Sequence, residues 1–196
     1  MGIKKLIVKI YITCLVFEFK LRRWLLGFDN ANLMLQRIDK RALIPVLRAG
    51  GAQIADECIF KTPLFIDNAK GSYKNLKIGK HVSIGVGTYF DLMDEIIIGD
   101  YTGVGPQVSF LTHWHVGDVP MKKLFPYKTE KIEIGANCFI GINSSILYGS
   151  KLEEFTLVAS QTLIQGNYET GSLIAGNPAK ITNKLSEKVI QKILKQ

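Results

Sequence analysis

The chain has 196 residues, 47% of them hydrophobic and 21% charged, enough to bury one domain with a modest appendage and too apolar for a disordered chain. Its formal net charge of +8 comes without a helix-turn-helix, RNP or zinc-finger pattern, which argues against a nucleic-acid partner. The three cysteines, Cys14, Cys58 and Cys138, form an odd set with no CxxC pair, so neither a disulfide framework nor a zinc knuckle follows and a reducing, cytoplasmic compartment is expected.

Residues 1–28 are basic and apolar, with cations at Lys4, Lys5, Lys9, Lys20, Arg22 and Arg23. Lys9, Thr13, Glu18 and Lys20 interrupt the apolar run, which falls short of the roughly 18–20 residues a membrane span needs. No small-residue cleavage site follows, so a signal peptide is not expected either. The first expectation is an amphipathic helix packed on the body; the second is peripheral contact with the inner membrane leaflet. Plain solvated charge is the alternative for this cluster. Residues 30–44 read as helical, ending before Pro45, so positions 1–48 are assigned as an N-terminal helical segment.

From Ile54 an apolar residue recurs every six positions: Phe60, Ile66, then, past a miss at Ser72, Ile78, Ile84 and Phe90. An insertion of two residues shifts the phase to Ile98, Val104 and Phe110. Ile134, Ile140, Ile146, Leu152, Val158 and Ile164 then follow in unbroken steps of six, before a longer turn leads to Ile174. Four residues after many anchors stands a small or β-branched side chain: Val82, Thr88, Thr102, Val108, Cys138, Ser144, Ser150, Thr156 and Thr162. Gly directly follows several anchors, at 79, 85, 99, 105, 135 and 141. A period of six suits neither a helix nor a hairpin array. It suits a solenoid of three flat faces, with the anchor inward, the small residue filling the remaining core and Gly easing each corner. Stacked coils bury an aliphatic column and hydrogen-bond as a parallel sheet does. Residues 49–184 are assigned to this domain.

Residues 111–131 break the pattern and read as a loop thrown out of the solenoid. It carries His113 and His115, two of the three histidines of the chain, and loops on a rigid scaffold often carry function. His81, in IGKHVSIG, reads as a solvated corner. Residues 185–196 read as a short amphipathic helix capped by Ser186, with Val189, Ile190, Ile193 and Leu194 on one face; such end pieces cover exposed coil edges.

FLTH before the loop, IEIGANCFIGINSSILYGSKL after it and IAGNPAKITNKL at the end make residues 76–184 resemble the hexapeptide-repeat O-acetyltransferases, a group that includes galactoside, maltose and capsule-polysaccharide acetyltransferases. The resemblance implies a mainly β, left-handed parallel β-helix that forms a homotrimer with active sites between neighbouring subunits. It also implies acetyl-CoA as acyl donor, a hydroxyl of a sugar or polysaccharide precursor as acceptor, and no metal. His113 matches the family base: a neutral imidazole takes the hydroxyl proton as the new C–O bond forms, in direct transfer within a ternary complex. A backbone N–H of the coil carrying Gly141 and Ile142 is expected to stabilise the oxyanion. His115, two residues on in an extended segment and so on the same side with Trp114 facing away, is the alternative base or an acceptor-orienting group. By the same resemblance the pantetheine arm runs along Phe139, Gly141, Ala159 and Ser160, with Phe139 standing where Trp is usual. Lys180 meets the nucleotide phosphate, with Lys184 one helical turn later. On the acceptor side the family's Asn is missing from GVGTYFDLMDE; Asp91, Asp94 and Trp114 are the acceptor-binding candidates, Asp91 alternatively shaping a turn.

Two readings of other classes stand beside this one. A γ-type carbonic anhydrase shares the scaffold but needs three zinc-binding histidines split across a subunit interface, and His113 and His115 are too close in sequence to reproduce that split. A non-catalytic solenoid binding anionic partners leaves the TH loop and GNPAK ending without purpose. Within the enzyme class, N-acetylation of an amino sugar stays open.

Overall fold

The computed structural model describes residues 2–194. An apolar residue every sixth position becomes a core only if the chain turns by a third of a circle per hexapeptide, and that is the winding observed. Short strands fall on three faces. Face A stacks Gln53–Ile54, Leu76–Ile78, Ile96–Ile98, Ile132–Ile134, Lys151–Leu152 and Asn167–Tyr168. Face B stacks Ile59–Phe60, Ser83–Ile84, Gly103–Val104, Phe139–Ile140, Leu157–Val158 and Ser172–Ala175, and face C runs from Phe65–Asp67 through Tyr89–Asp91, Ser109–Leu111 and Ser145–Leu147 to Leu163–Ile164. Neighbouring coils pair in parallel with anchors in register, as in Ile78, Ile98, Ile134 and Leu152 on face A. The expected β-helix, with helices at both ends of the chain, is the architecture of the protein.

Every anchor named from the sequence is buried, none more than 7% exposed, and so is each of the nine small residues, at 3% or less. All but one of their hydroxyls are satisfied by the backbone: Thr88 Oγ1 donates to Gly85 O (2.9 Å), Thr102 Oγ1 to Gly135 O (2.9 Å) and Ser144 Oγ to Ala159 O (3.0 Å), while Thr162 Oγ1 is buried without a partner among the described residues. A backbone acceptor within reach is what lets Ser and Thr substitute for Val at the other positions. The turn between Ile164 and Ile174 holds one more inward residue, Tyr168, on a shortened coil.

The glycines after the anchors serve a different purpose from the expected one. The left-handed backbone at the corners is taken two residues later, by His81, Tyr101, Gln107, Asn137 and Asn143, a conformation that costs an L-residue roughly 1–2 kcal/mol. A Cβ on Gly85 would meet Gly105 C and Pro106 N at 2.5 Å, and one on Gly141 would meet Ser160 N at 2.5 Å. Close approach of the next coil, not φ, therefore requires glycine there.

At the N-terminus, helix α1 (Ile3–Leu26) is followed by α2 (Phe28–Asn32), a 3₁₀ turn over Leu33–Gln36 and α3 (Lys40–Ala49). The helical stretch does not stop before Pro45: α3 continues through it. A proline inside a helix costs about 3 kcal/mol, and burial of Ala42, Leu43, Val46 and Leu47 on the first coil offsets it at roughly 1.5–3 kcal/mol per large side chain. Asp39 caps α3 through Arg41 N. At the other end α4 (Glu187–Leu194) seats Ile190, 8% exposed, beside Gly171. Between them Lys180–Lys184 is a strand antiparallel to Ser172–Ala175, so Lys184 stands along an extended strand from Lys180 and not one helical turn away. Among the described residues no helix is long and apolar enough to cross a membrane.

Candidate active site

The two-residue phase shift between Phe90 and Ile98 is where the site begins. Asp91 ends a face-C strand and pairs in register with Leu111 on the next coil; two residues beyond Leu111 stands His113. Both therefore fall on the edge where face C turns into face A. The extra residues let the Asp91 side chain turn inward, where it is 1% exposed.

That carboxylate is surrounded by donors. Oδ2 accepts from His113 Nδ1 at 2.5 Å and from His113 N at 3.0 Å, and it lies 3.1 Å from the Thr112 hydroxyl. Oδ1 accepts from Asn68 Nδ2 at 2.9 Å and from Met93 N at 3.3 Å. Thr112 Oγ1 also lies 2.8 Å from Asp91 O and accepts from Asp94 N at 3.0 Å. With its oxygens occupied in this way, a buried charge is tolerable. A carboxylate only accepts, so the proton on the facing nitrogen of His113 is fixed at Nδ1 and Nε2 is the basic atom. Asp91, read from the sequence as an acceptor ligand or a turn former, is placed behind the imidazole.

From His113 the chain leaves the prism as an antiparallel ribbon, His113–Trp114 against Lys128–Thr129, with a 3₁₀ turn at Pro120–Lys123 near its tip. The His115 ring stacks 5.1 Å from that of His113, and Tyr127 lies 6.1 and 6.4 Å from the two rings. His115 Nδ1 accepts from Gly117 N at 2.8 Å. Beside this cluster lies a cavity of about 500 Å³ lined by Met93, His115, Val116, Phe125, Pro126 and Tyr127. Trp114, 43% exposed, pairs with Lys128. Asp94 sits at the base of the ribbon, its carboxylate accepting from Glu95 N (2.7 Å) and Thr129 Oγ1 (3.4 Å).

The residues expected to hold the acyl donor lie on a different edge. Phe139, 52% exposed, lays its ring over Gly103 on face B, with Leu157 next in the column. Gly141, Ile142, Ala159 and Ser160 follow, where face B turns into face C. Gly141 N donates to Val158 O at 2.9 Å; Ile142 N makes no protein hydrogen bond among the described residues. Lys180 is exposed at the start of the returning strand, and Lys184 pairs with Glu169, whose carboxyl that ammonium holds below its ordinary range. The whole of face C, roughly 15–20 Å for one hexapeptide at about 3.3 Å per residue, separates this edge from His113 within one chain. His81 lies on the third edge, paired with Glu57 (2.7 Å) and stacked on Tyr101. Among the described residues no three His, Cys, Asp or Glu side chains converge as a metal site would require. Asn68, Thr112 and Tyr127 are site residues that sequence reasoning did not single out.

A three-faced prism with a ribbon leaving one edge and an oriented imidazole at its root defines a hexapeptide-repeat β-helix with an edge histidine. No protein-family model matches the chain. YvoF of Bacillus subtilis (strain 168), named as an acetyltransferase, is 28% identical over 112 residues, covering 56% of this chain and 61% of that protein. The chain thus spans less than two thirds of that relative's length. Galactoside O-acetyltransferase of Lactococcus lactis is 19% identical over 171 residues, 81% of this chain and 78% of the relative. Among solved structures, a hexapeptide-repeat acetyltransferase from Vibrio cholerae superposes with a TM-score of 0.70 at 20% identity, over 90% of this chain and 94% of that one, and its complex with acetyl coenzyme A does so with 0.68 at 19%, over 90% and 88%. The resemblance to hexapeptide-repeat acetyltransferases read from FLTH, IEIGANCFIG and IAGNPAK is borne out by these relatives and by the shared fold.

Proposed function

We propose that this protein is an acetyl-CoA-dependent O-acetyltransferase acting on a hydroxyl of a sugar or polysaccharide precursor, with His113 as general base in a ternary complex. The observation that carries the reading is the buried Asp91 carboxylate on His113 Nδ1, 2.5 Å away. A hydroxyl is too weak an acid to attack a thioester unaided and needs its proton removed as it attacks. In the reaction Nε2 takes that proton, the acceptor oxygen adds to the acetyl carbonyl, the C–S bond breaks, and the imidazolium returns the proton to the departing thiolate. Asp91 keeps the ring in the right tautomer and stabilises its charged form. The unpaired Ile142 N–H is the favoured oxyanion donor, since that of Gly141 is bound in the ladder.

The cavity beside His115 suits a sugar: Phe125 and Tyr127 offer flat apolar surfaces for the C–H face of a ring, while His115 and Tyr127 orient hydroxyls. Trp114 and Asp94, on the far side and base of the ribbon, are not among its lining residues. The donor residues sit one prism edge away, so the site is completed only when the His113 edge of one copy meets the Phe139–Ser160 edge of the next. Such a heterologous contact forms a ring where its rotation closes, and the resemblance to hexapeptide-repeat acetyltransferases implies a homotrimer.

The test is thiol release from acetyl-CoA against a panel of free sugars, nucleotide sugars and lipid-linked sugars. His113→Ala should lower turnover by roughly 10²–10⁴, the effect of losing a general base, and His115→Ala by much less. If His115→Ala abolishes turnover while His113→Ala does not, the base is the other imidazole; if acetyl-CoA at millimolar concentration does not bind, the protein is not this enzyme.

A further inference from the structure

Helix α1 has two apolar faces, and the protein covers one. At 3.6 residues per turn, Ile12, Leu15, Val16 and Phe19 share the side that packs on the body, Phe19 fully buried against Tyr73. On the opposite side Ile3, Ile7, Ile10, Phe17, Leu21 and Trp24, with Cys14 completing the series, recur at alternating spacings of four and three. All are exposed, Ile3 at 78%, Phe17 at 64% and Trp24 at 80%. The stripe runs the length of a 24-residue helix, about 36 Å at 1.5 Å per residue. Lys4 and Arg22 border it on one side, Lys9 and Lys20 on the other. The one acid of the helix, Glu18, is already paired with Arg22.

A continuous apolar stripe with aromatic residues, cations along both borders and too little apolar length to cross a bilayer is the pattern of a helix lying in a membrane interface. We propose that α1 docks the protein on a bilayer surface containing anionic lipid, with its axis in the membrane plane. The Ile, Phe and Trp side chains enter the acyl boundary by roughly 5–10 Å, and the bordering ammonium groups meet lipid phosphates. Charge decides against a second copy of α1 as the occupant. The positions flanking the stripe would set Lys4 and Lys20 against a partner carrying the same cations, with no free carboxylate to answer them. An anionic surface answers them all. The body packs on the opposite side of the helix and leaves the approach open. The inference stands independently of the acetyl-transfer reading.

The experiment uses the full chain and extruded vesicles of phosphatidylcholine, alone or with about a third phosphatidylglycerol. Readouts are co-sedimentation, the emission of Trp24 and the alkylation rate of Cys14, with solution mass followed by light scattering. The expected result is binding to the anionic vesicles and weak binding to neutral ones, with the anionic binding falling as salt rises. Cys14 becomes protected on the anionic vesicles while Cys58 keeps its rate, a comparison that requires no substitution. Phe17→Ser with Trp24→Ser should lower the partition coefficient at least tenfold with circular dichroism and mass unchanged. Each of Lys4→Gln and Lys9→Gln should lower it about fivefold. Absence of binding to the anionic vesicles, or equal binding to both compositions, would overturn the proposal. A smaller assembly for the Phe17/Trp24 variant in solution would also overturn it, by assigning the stripe to contact between copies.

Discussion

Asp91→Asn is the substitution that most directly probes the site, because it removes a charge and almost no volume. Both carboxylate oxygens face donors only: two groups of His113 and the Thr112 hydroxyl on one side, Asn68 Nδ2 and Met93 N on the other. An amide at position 91 must turn its NH2 toward one of these sets. Turned toward Met93 and Asn68, it can be met by flipping the Asn68 amide, which leaves only Met93 N–H without its acceptor. One orphaned buried donor costs about 1–3 kcal/mol, to be read as a lower urea midpoint at unchanged slope. His113 then keeps its tautomer but loses a charged acceptor, and the difference between charged and neutral hydrogen bonds, about 1–2 kcal/mol, lowers turnover roughly 5–30-fold. Turned the other way, the NH2 faces Nδ1 and forces the proton to Nε2, removing the base; in serine proteases this change in an imidazole–carboxylate pair costs about 10⁴ in turnover. The expected loss therefore lies between about fivefold and 10⁴-fold, measured by thiol release with saturating acetyl-CoA. It should fall on turnover and leave the acetyl-CoA Michaelis constant unchanged, since the residues proposed to bind the donor sit on another edge. A folded Asp91→Asn protein within twofold of the parent would refute the assignment of Asp91 as the group that orients His113.

Four further outcomes follow from the geometry. Lys180→Ala should raise the apparent Michaelis constant for acetyl-CoA with little change in turnover, the signature of lost uniform binding. Gly85→Ala forces a methyl into the backbone of the next coil, 2.5 Å away, and should cost about 1–3 kcal/mol in urea unfolding, as overpacking does. In the native protein at pH 8, mass spectrometry should find Cys14 alkylated and Cys138 untouched: burial pushes the Cys138 thiol up to about 11, and only a thiolate reacts. The Arg41 guanidinium and backbone N–H hold the Asp39 carboxyl at about 2 against an ordinary 3.8. The helix-capping contribution of Asp39, about 1 kcal/mol, is therefore complete above pH 3.8 and lost as pH falls through about 2, and Asp39→Ala should differ from the parent at neutral pH and converge with it in acid.

What repeats was legible in the sequence. Each inward anchor from Ile54 to Ile174 sits at a position whose neighbours six residues away impose the same requirement, so a single miss such as Ser72 does not lose the phase. Tyr168 escaped because its coil is shortened and the spacing fails where the helper pattern also thins. The glycines were found but misread: their position after the anchor is visible in one dimension, whereas the backbone of the neighbouring coil that excludes a Cβ arrives from about 20 residues away. Pro45 misled for a related reason, since a local helix breaker gave way to packing of α3 on the first coil.

The site was half legible for the same physical cause. His113 stands out because it interrupts a period, and interruptions of a rigid repeat are where the chain can place chemistry without unstacking the coils. Asp91 interrupts it too: a charge directly after an inward anchor, at the start of the only two-residue insertion between coils, has no reason to exist in a core unless something pairs with it. What one dimension hides is which interruption meets which. The insertion after Phe90 and the exit after Phe110 are 20 residues apart in the chain, yet they fall on one edge because 18 residues make a coil and the remaining two are the insertion itself. Coil length thus sets the partnership of Asp91 and His113, and the same arithmetic puts Phe139 to Ser160 on a different edge. If the proposed donor-binding and proton-accepting roles hold, a solenoid that distributes them over separate edges completes the reaction only where copies assemble side by side, so a variant held monomeric should bind acetyl-CoA poorly and turn over little.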